Sequence, residues 1–417
     1  MELWTEKPIK SLGTVVTGKT PSKAQSEFYA NGEHLFISPK DLDWNQFYVT
    51  DTETRITEKA LEKHKNQVLP KNSVLFTSLS FAFGKMGITS QPSLTNQQIN
   101  SIIVNEEHDF RFVYYLLQQY RPTIFSYNSG IDTPIVPKSV FESILVKYPK
   151  LETQRKIAAI LSAYDDLIEN NQRRITLLEA MAEEIYREWF VRFRFPGHKI
   201  AEFEKGVPKG WERQSLLKLC SVIKRGISPK YSDGSSKLVI NQKCIRDGRI
   251  DLSQARTHDS KVPDDKYIQF GDALINSTGV GTLGRVSVVE FSPENITVDS
   301  HVTICRAEPS KICPVYLGKT VEKMQHYFEF MAAGSTGQVE LNKSLISKIE
   351  ILTPDQTTQT KFREFIEPIF NEKQTLFAEI DNLSKTKNLL LPRLISGKLS
   401  VEDLDIQFPP SMQAEAD

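Results

Sequence analysis

No stretch of this chain stays apolar long enough to cross a membrane, and Met1 to Trp4 has none of the character of a signal peptide. The expected location is the cytoplasm. Cysteine is scarce. Cys220, Cys244, Cys305 and Cys313 all fall in the second half and none forms a CxxC pair, which argues for buried free thiols rather than a zinc site. Net charge is also missing, because 52 Lys and Arg balance 52 Asp and Glu. Any attraction to nucleic acid must therefore come from local patches or from a more basic partner. The seven histidines are scattered, with no carboxylate at ligand or catalytic spacing. No NPPY- or DPPY-like motif for methyl transfer to an amino group occurs.

Hydrophobic residues at 39% and charged residues at 25% are ordinary for a globular protein, so 417 residues allow two or three domains, each with its own core. The most informative absence lies between Leu151 and Phe195, which contain neither proline nor glycine. Apolar residues recur there at helical spacing: Ile157, Leu161, Tyr164, Ile168, Ile175, Leu178, Ala182 and Ile185. About forty helical residues make a rod roughly 60 Å long, a spacer between two bodies.

The bodies themselves read as short strands separated by turn formers. In the first, apolar runs at Leu12 to Val16, Leu35 to Ile37, Val74 to Phe76 and Ile99 to Val104 are bounded by Gly, Pro, Asn and Ser. One helix is expected from Phe110 to Tyr120, ending before Pro122. The second body resumes this style from Trp211 to about Pro354, with a helix-like run from Val315 to Met331. A second long periodic stretch then places Phe362, Phe365, Ile369, Leu376, Ile380, Leu383 and Leu390 in steps of three and four. Lys373 and Lys387 fill the gaps, the pattern of a coiled coil. Pro368 predicts a kink or a restart, and Pro392 a break.

The sequence also repeats. SLGTVV at 11–16 with GKTPS at 18–22 returns as KLCSVI at 218–223 with GISPK at 226–230. VLFTSL at 74–79 returns as ALINST at 273–278, and NQQI at 96–99 as DSHV at 299–302. Pro149 and Gln154 return as Pro354 and Gln359, both displaced by 205 residues (354 less 149, 359 less 154). Repeats of this length are duplicated domains, hence pseudo-twofold symmetry. Two rods with apolar stripes then pack most cheaply against each other, antiparallel, with Asn171 and Lys373 as polar seam residues that set register.

Two motifs mimic chemistry. GTVVTGKT at 13–20 matches the phosphate-cradling GxxxxGK[ST], but that loop needs a helix after it and Pro21 follows at once. GVGTLG at 279–284 matches GxGxxG, yet the strand-like RVSVV follows where a helix is required, so a hairpin corner is expected. PDDK at 263–266 reads as a solvated loop. Duplicated polar surfaces remain: Lys19, Lys23, Ser78, Ser80, Lys85, Gln97, Gln98 and Asn128 in the first body. The second offers Arg225, Lys230, Asn241, Lys243, Arg246, Ser277, Thr278, Arg285, His301, Gln338 and Lys343. These side chains carry the donors and acceptors that hold phosphates and read base edges.

The central stretches LETQRKIAAILSAYDDLIENNQRRITLLEAM and LEAMAEEIYREWFVRFRFPGHK, with NLLLPRLISGKL at 388–399, resemble the central and distal conserved regions of type I restriction-modification specificity subunits. With the duplicated order of body and rod, the resemblance covers essentially the whole chain. It implies an α+β fold of two mixed α/β target-recognition domains separated by a long antiparallel two-helix coiled coil. The expected divisions are 1–150 and 196–355 for the recognition domains, 151–195 and 356–400 for the spacer helices, and 401–417 for a tail. It further implies a non-catalytic subunit that reads a bipartite double-stranded DNA target through the major groove. Such a subunit docks two methyltransferase subunits and, outside them, restriction and translocase subunits. S-adenosylmethionine, ATP and Mg would belong to those partners, with no cofactor or metal in this chain. A rod of roughly 60 Å spans nearly two turns of B-DNA at about 34 Å each, as separated half-sites require. Two other readings stay open: a P-loop ATPase using Lys19 and Thr20, and a coiled-coil scaffold that binds only protein.

Overall fold

The computed structural model describes residues 4–44, 47–79, 81–129, 133–333 and 340–413. The chain divides into two compact units, one of Met1–Asn171 with Glu379–Asp417 and one of Gln172–Ala378.

In the first unit a five-stranded sheet runs in the order Gly13–Thr17, Ile99–Val104, Val74–Thr77, Met86–Thr89, Tyr48–Val49. A three-stranded sheet (Thr54–Ile56, His34–Ile37, Ser93–Thr95) and the pair Thr5–Pro8 with Leu145–Tyr148 complete it. Successive side chains of a strand point to opposite faces, and here both faces are covered. Val74 and Phe76 enter the core beneath helix Phe110–Ser126, while Leu75 joins Leu35, Ile37 and Ile99 on the other side. That is why the strand reads as a continuous apolar run.

The second unit repeats the plan. Its four-stranded sheet has the order Cys220–Arg225, Val302–Ala307, Ala273–Asn276, Val286–Val288, the counterpart of the first four strands above. Ala273 and Ile275 face one core and Leu274 the other. The strands carrying the sequence repeats are thus structural equivalents.

Each unit also contains parts of two long helices, Leu151–Tyr186 and Gln356–Ile395. In the first unit Lys387 donates to Asp165 (2.5 Å) and Asn171 to Glu379 (2.9 Å). In the second, Arg174 meets Glu372 (2.5 Å), and Tyr186, Trp189 and Phe190 surround Phe362. Numbers rise along one helix as they fall along the other, so the segments are antiparallel within each unit. Ile157, Leu161, Ile175, Leu376 and Leu394 are buried, each stabilising by roughly 1.5–3 kcal/mol before entropy is counted. The polar seam residues are satisfied: Asn171 as above, and Lys373 by Glu290 (2.6 Å) and Glu179 (3.2 Å).

Several local expectations need correction. The first long helix stops at Tyr186 and continues as a π turn, Arg187–Val191, rather than running to Phe195. There Arg192 N–H bonds the Arg187 carbonyl, and Phe193 caps the turn at φ 56° with its ring against Trp211. Helix Phe110–Ser126 passes through Pro122, because burying Ile124 and packing Phe125 on Phe83 hold the last turn. The second long helix is unbroken at Pro368 and extends three residues beyond Pro392, each proline removing one hydrogen bond from a well-packed rod. The run Val315 to Met331 is two helices, Pro314–Lys323 and Gln325–Ala333, parted at Met324. Phe365 is exposed and lies edge-on to Trp189; Ile366 and Phe370 take the buried positions, because this end of the helix packs on the body of its unit as well as on the other long helix.

Candidate nucleic-acid interface

The equivalent strand pairs are each closed by a connecting loop built the same way. In the first unit Thr77 N–H bonds the Lys85 carbonyl (2.9 Å) and Gly84 N–H bonds the Thr77 carbonyl (2.8 Å). In the second, Asn276 N–H bonds the Arg285 carbonyl (2.9 Å) and Gly284 N–H the Asn276 carbonyl (2.9 Å). Each loop is rooted on two further segments. Ser78 N–H bonds the Gln98 carbonyl and the Ser78 carbonyl accepts from Val136; Ser277 N–H bonds the His301 carbonyl and the Ser277 carbonyl accepts from Leu341. The GxGxxG fingerprint is therefore a hairpin loop, with Gly279, Gly281 and Gly284 at positive φ.

This arrangement gathers many of the polar candidates into one surface per unit. Around the first hairpin stand Lys85, Gln98, Gln97 (whose Oε1 accepts from Thr20, 2.8 Å) and Asn128 (whose Oδ1 accepts from Ile135 N–H, 2.7 Å). Lys19 adjoins Thr20 and is exposed. Burial, then the positive charges of Lys19 and Lys63, hold His64 below the usual imidazole range. A concavity of about 510 Å³ opens beside the hairpin, lined by Lys40, Trp44, Phe81, Lys85, Asn96 and Gln98 among others. Around the second hairpin, Thr278 Oγ1 lies 2.6 Å from His301 Nδ1, and Arg285 donates to the Gly281 carbonyl (2.9 Å). Asn276 donates to the Gln242 carbonyl (3.0 Å), bringing in the neighbouring Asn241 and exposed Lys243. Arg225 is held at 3.2 and 3.3 Å by Glu340, next to Leu341, and Lys343 follows on the same segment.

Other candidates fall elsewhere. Ser78 and Ser277 are buried, and the Ser277 hydroxyl is spent on Thr303 (2.6 Å). They root the hairpins and offer nothing outward. Lys230 lies by the 259–260 loop, where its N–H bonds Ser260. Arg246 pairs with Asp247 on a separate hairpin. Lys23 is exposed on the irregular chain after strand Gly13–Thr17. Ser80 and Gln338 lie outside the described residues. Trp44, Phe81, Asn96 and Gln242 were not singled out from the sequence, since only the fold brings them to the surface.

The phosphate-loop match dissolves on packing grounds. Strand Gly13–Thr17 leads into irregular chain, and the next helical element is the single turn Ser26–Phe28. A Cβ on Gly18 would lie 2.2 Å from the Asn96 carbonyl oxygen, and one on its counterpart Gly226 1.8 Å from that of Val298. Both glycines serve close contact between segments, so no cradle of amide groups forms. PDDK is a short exposed turn in which Asp265 pairs with Lys224. Cys244, Cys305 and Cys313 are buried free thiols, with Cys220 half-buried. Among the described residues no group of three His, Cys, Asp or Glu could hold a metal, and no helix is long and apolar enough to cross a membrane.

Residues 1–180 match the family model for the type I restriction modification DNA specificity domain. The chain is 28% identical over 416 residues to the type I restriction enzyme MjaIX specificity subunit of Methanocaldococcus jannaschii, covering 96% of this chain and 94% of that one. It is 31% identical over 179 residues to the HindI specificity subunit of Haemophilus influenzae, covering 40% and 38%. In fold it is similar to the S subunit of a type I restriction-modification system from M. genitalium, with a TM-score of 0.61 at 16% identity over 94% of this chain and 96% of that one.

Proposed function

We propose that this chain, whose residues 1–180 match the type I restriction modification DNA specificity domain, is a type I restriction-modification specificity subunit that reads a bipartite DNA sequence with its two duplicated bodies, one half-site each. As such a subunit it recognises DNA and carries no catalysis of its own. The observation that carries the two-reader model is the matched pair of rooted hairpins, each set among amides and cations. Asn and Gln side chains suit adenine, Arg and Lys suit guanine or phosphate, and all can be presented to the major groove. The formal neutrality of the chain leaves much of the phosphate clamping to partners.

The recognition domains occupy about 1–150 and 196–355. The two long helices form the spacer that sets the unread gap and the surface that docks two methyltransferase subunits, with restriction and translocase subunits outside them. S-adenosylmethionine, ATP and Mg act on those partners. Single-molecule sequencing of methylated DNA from cells carrying this subunit with its methyltransferase tests the model. The expected result is one methylated motif with two different half-sites and a fixed gap. Methylation without a split motif would overturn it. A protein-only scaffold would give no footprint even with the methyltransferase present.

A further inference from the structure

A lone exposed apolar side chain needs no explanation, since much of any protein surface is apolar. A matched pair at one position of a duplicated element is different. At the tip of the first hairpin Phe81 is 91% exposed, and at the tip of the second Val280 is fully exposed. Neither side chain belongs to a core, while the hairpins beneath them are held by the same four backbone hydrogen bonds. Each tip is therefore a firmly rooted post bearing one apolar group.

The surroundings specify what the group meets. Phe81 shares its concavity with Lys40, Lys85, Asn96 and Gln98. Val280 stands between Thr278, paired with His301, and Gly281, whose carbonyl holds Arg285. A protein partner with an apolar surface would have to desolvate those amides and cations. DNA would desolvate them too but pair them again, because base edges and phosphates are their natural partners. The apolar feature of the major groove is the 5-methyl group of thymine, which side chains such as Phe contact directly.

Resting on the DNA-reading proposal above, we propose that Phe81 and Val280 are specificity-determining residues that contact thymine methyl groups, Phe81 in one half-site and Val280 in the other. The larger ring and the smaller isopropyl group then contribute to the difference between half-sites.

The test uses the complex with its methyltransferase and duplexes in which each half-site thymine is replaced in turn by deoxyuridine, which lacks only the methyl. Wild type should lose about fourfold in affinity at one position per half-site, the worth of one buried methyl. Phe81→Ala should bind thymine and uracil duplexes equally in its half-site and keep its sensitivity in the other; Val280→Ala should do the reverse. Both substitutions sit on exposed tips, so unchanged melting temperatures would confirm intact folding. Specific binding by wild type that ignores every replacement, or a Phe81→Ala complex as sensitive as wild type, would overturn the proposal and leave the DNA-reading function standing. A wild-type complex with no sequence preference at all would overturn both.

Discussion

Gln154 and Gln359 make the same pair of hydrogen bonds in the two units. Gln154 donates Nε2–H to the Pro149 carbonyl (2.9 Å) and accepts at Oε1 from Asp109 N–H (3.2 Å). Gln359 donates to the Pro354 carbonyl (2.7 Å) and accepts from Cys313 N–H (2.7 Å). Asp109 and Cys313 are the residues that precede helices Phe110–Ser126 and Pro314–Lys323. One buried amide thus ties the first turn of a long helix to the start of its unit's own helix. Replacing either glutamine by alanine strands a buried proline carbonyl and the N–H at the helix start, which is buried at Cys313 and half-buried at Asp109. Each variant should lose about 2–3 kcal/mol, read as a lower urea midpoint.

Ile175, on the apolar stripe of the first long helix, is buried at 1% exposure. Ile175→Asp places a carboxylate in that apolar stripe and should cost at least about 4 kcal/mol. Circular dichroism should show lost helix and a lower melting temperature. Unchanged values would remove the seam from the account of stability.

A pH dependence follows from Glu179. Burial pushes its carboxyl up, but the Arg249 guanidinium (2.6 and 2.9 Å) and Lys373 (3.2 Å) outweigh that and hold it below the ordinary 4.5. An acid with a depressed folded-state pKa stabilises fully above its unfolded value and loses that contribution as pH falls through the folded value. Glu179→Gln should therefore cost about 1–3 kcal/mol at neutral pH, and the gap to wild type should close below pH 4.5 in denaturation curves.

Exchanging residues 1–150 for another recognition domain should change one half of the methylated motif and leave the other half alone. Lengthening helix Leu151–Tyr186 and its partner by equal whole turns should alter the gap and keep both half-sites. Sequencing of methylated DNA reads both outcomes, and a change in both half-sites after the domain exchange would sink the two-reader model.

The architecture was legible because its signals are redundant. Val74 to Phe76 and Ile99 to Val104 are apolar runs bounded by turn formers, and their recurrence about two hundred residues on marks the same strands twice. The helix ends were not, because Pro122, Pro368 and Pro392 each forfeit one backbone bond that tertiary packing outweighs. The candidate surface was legible as chemistry but not as position. Residue type does not distinguish Ser277, buried and bonded to Thr303, from Thr278 one step on, half-exposed beside His301. Phe81 and Val280 escaped notice for the opposite reason: apolar residues in a hairpin are expected to point inward.

The π turn Arg187–Val191 gives the first long helix an unusual freedom. Such a turn closes its ring over one residue more than an α turn, so it absorbs an inserted residue that would otherwise rotate everything beyond it by about 100°. Here the surplus is taken up just where Trp189 and Phe190 enter the core of the second unit. A single-residue insertion or deletion elsewhere in this helix would shift the phase of those aromatic anchors; at the π turn it can be gained or lost with the anchors left in place. Length and phase are thereby uncoupled at one end of the spacer, which allows it to change by single residues as well as by whole turns.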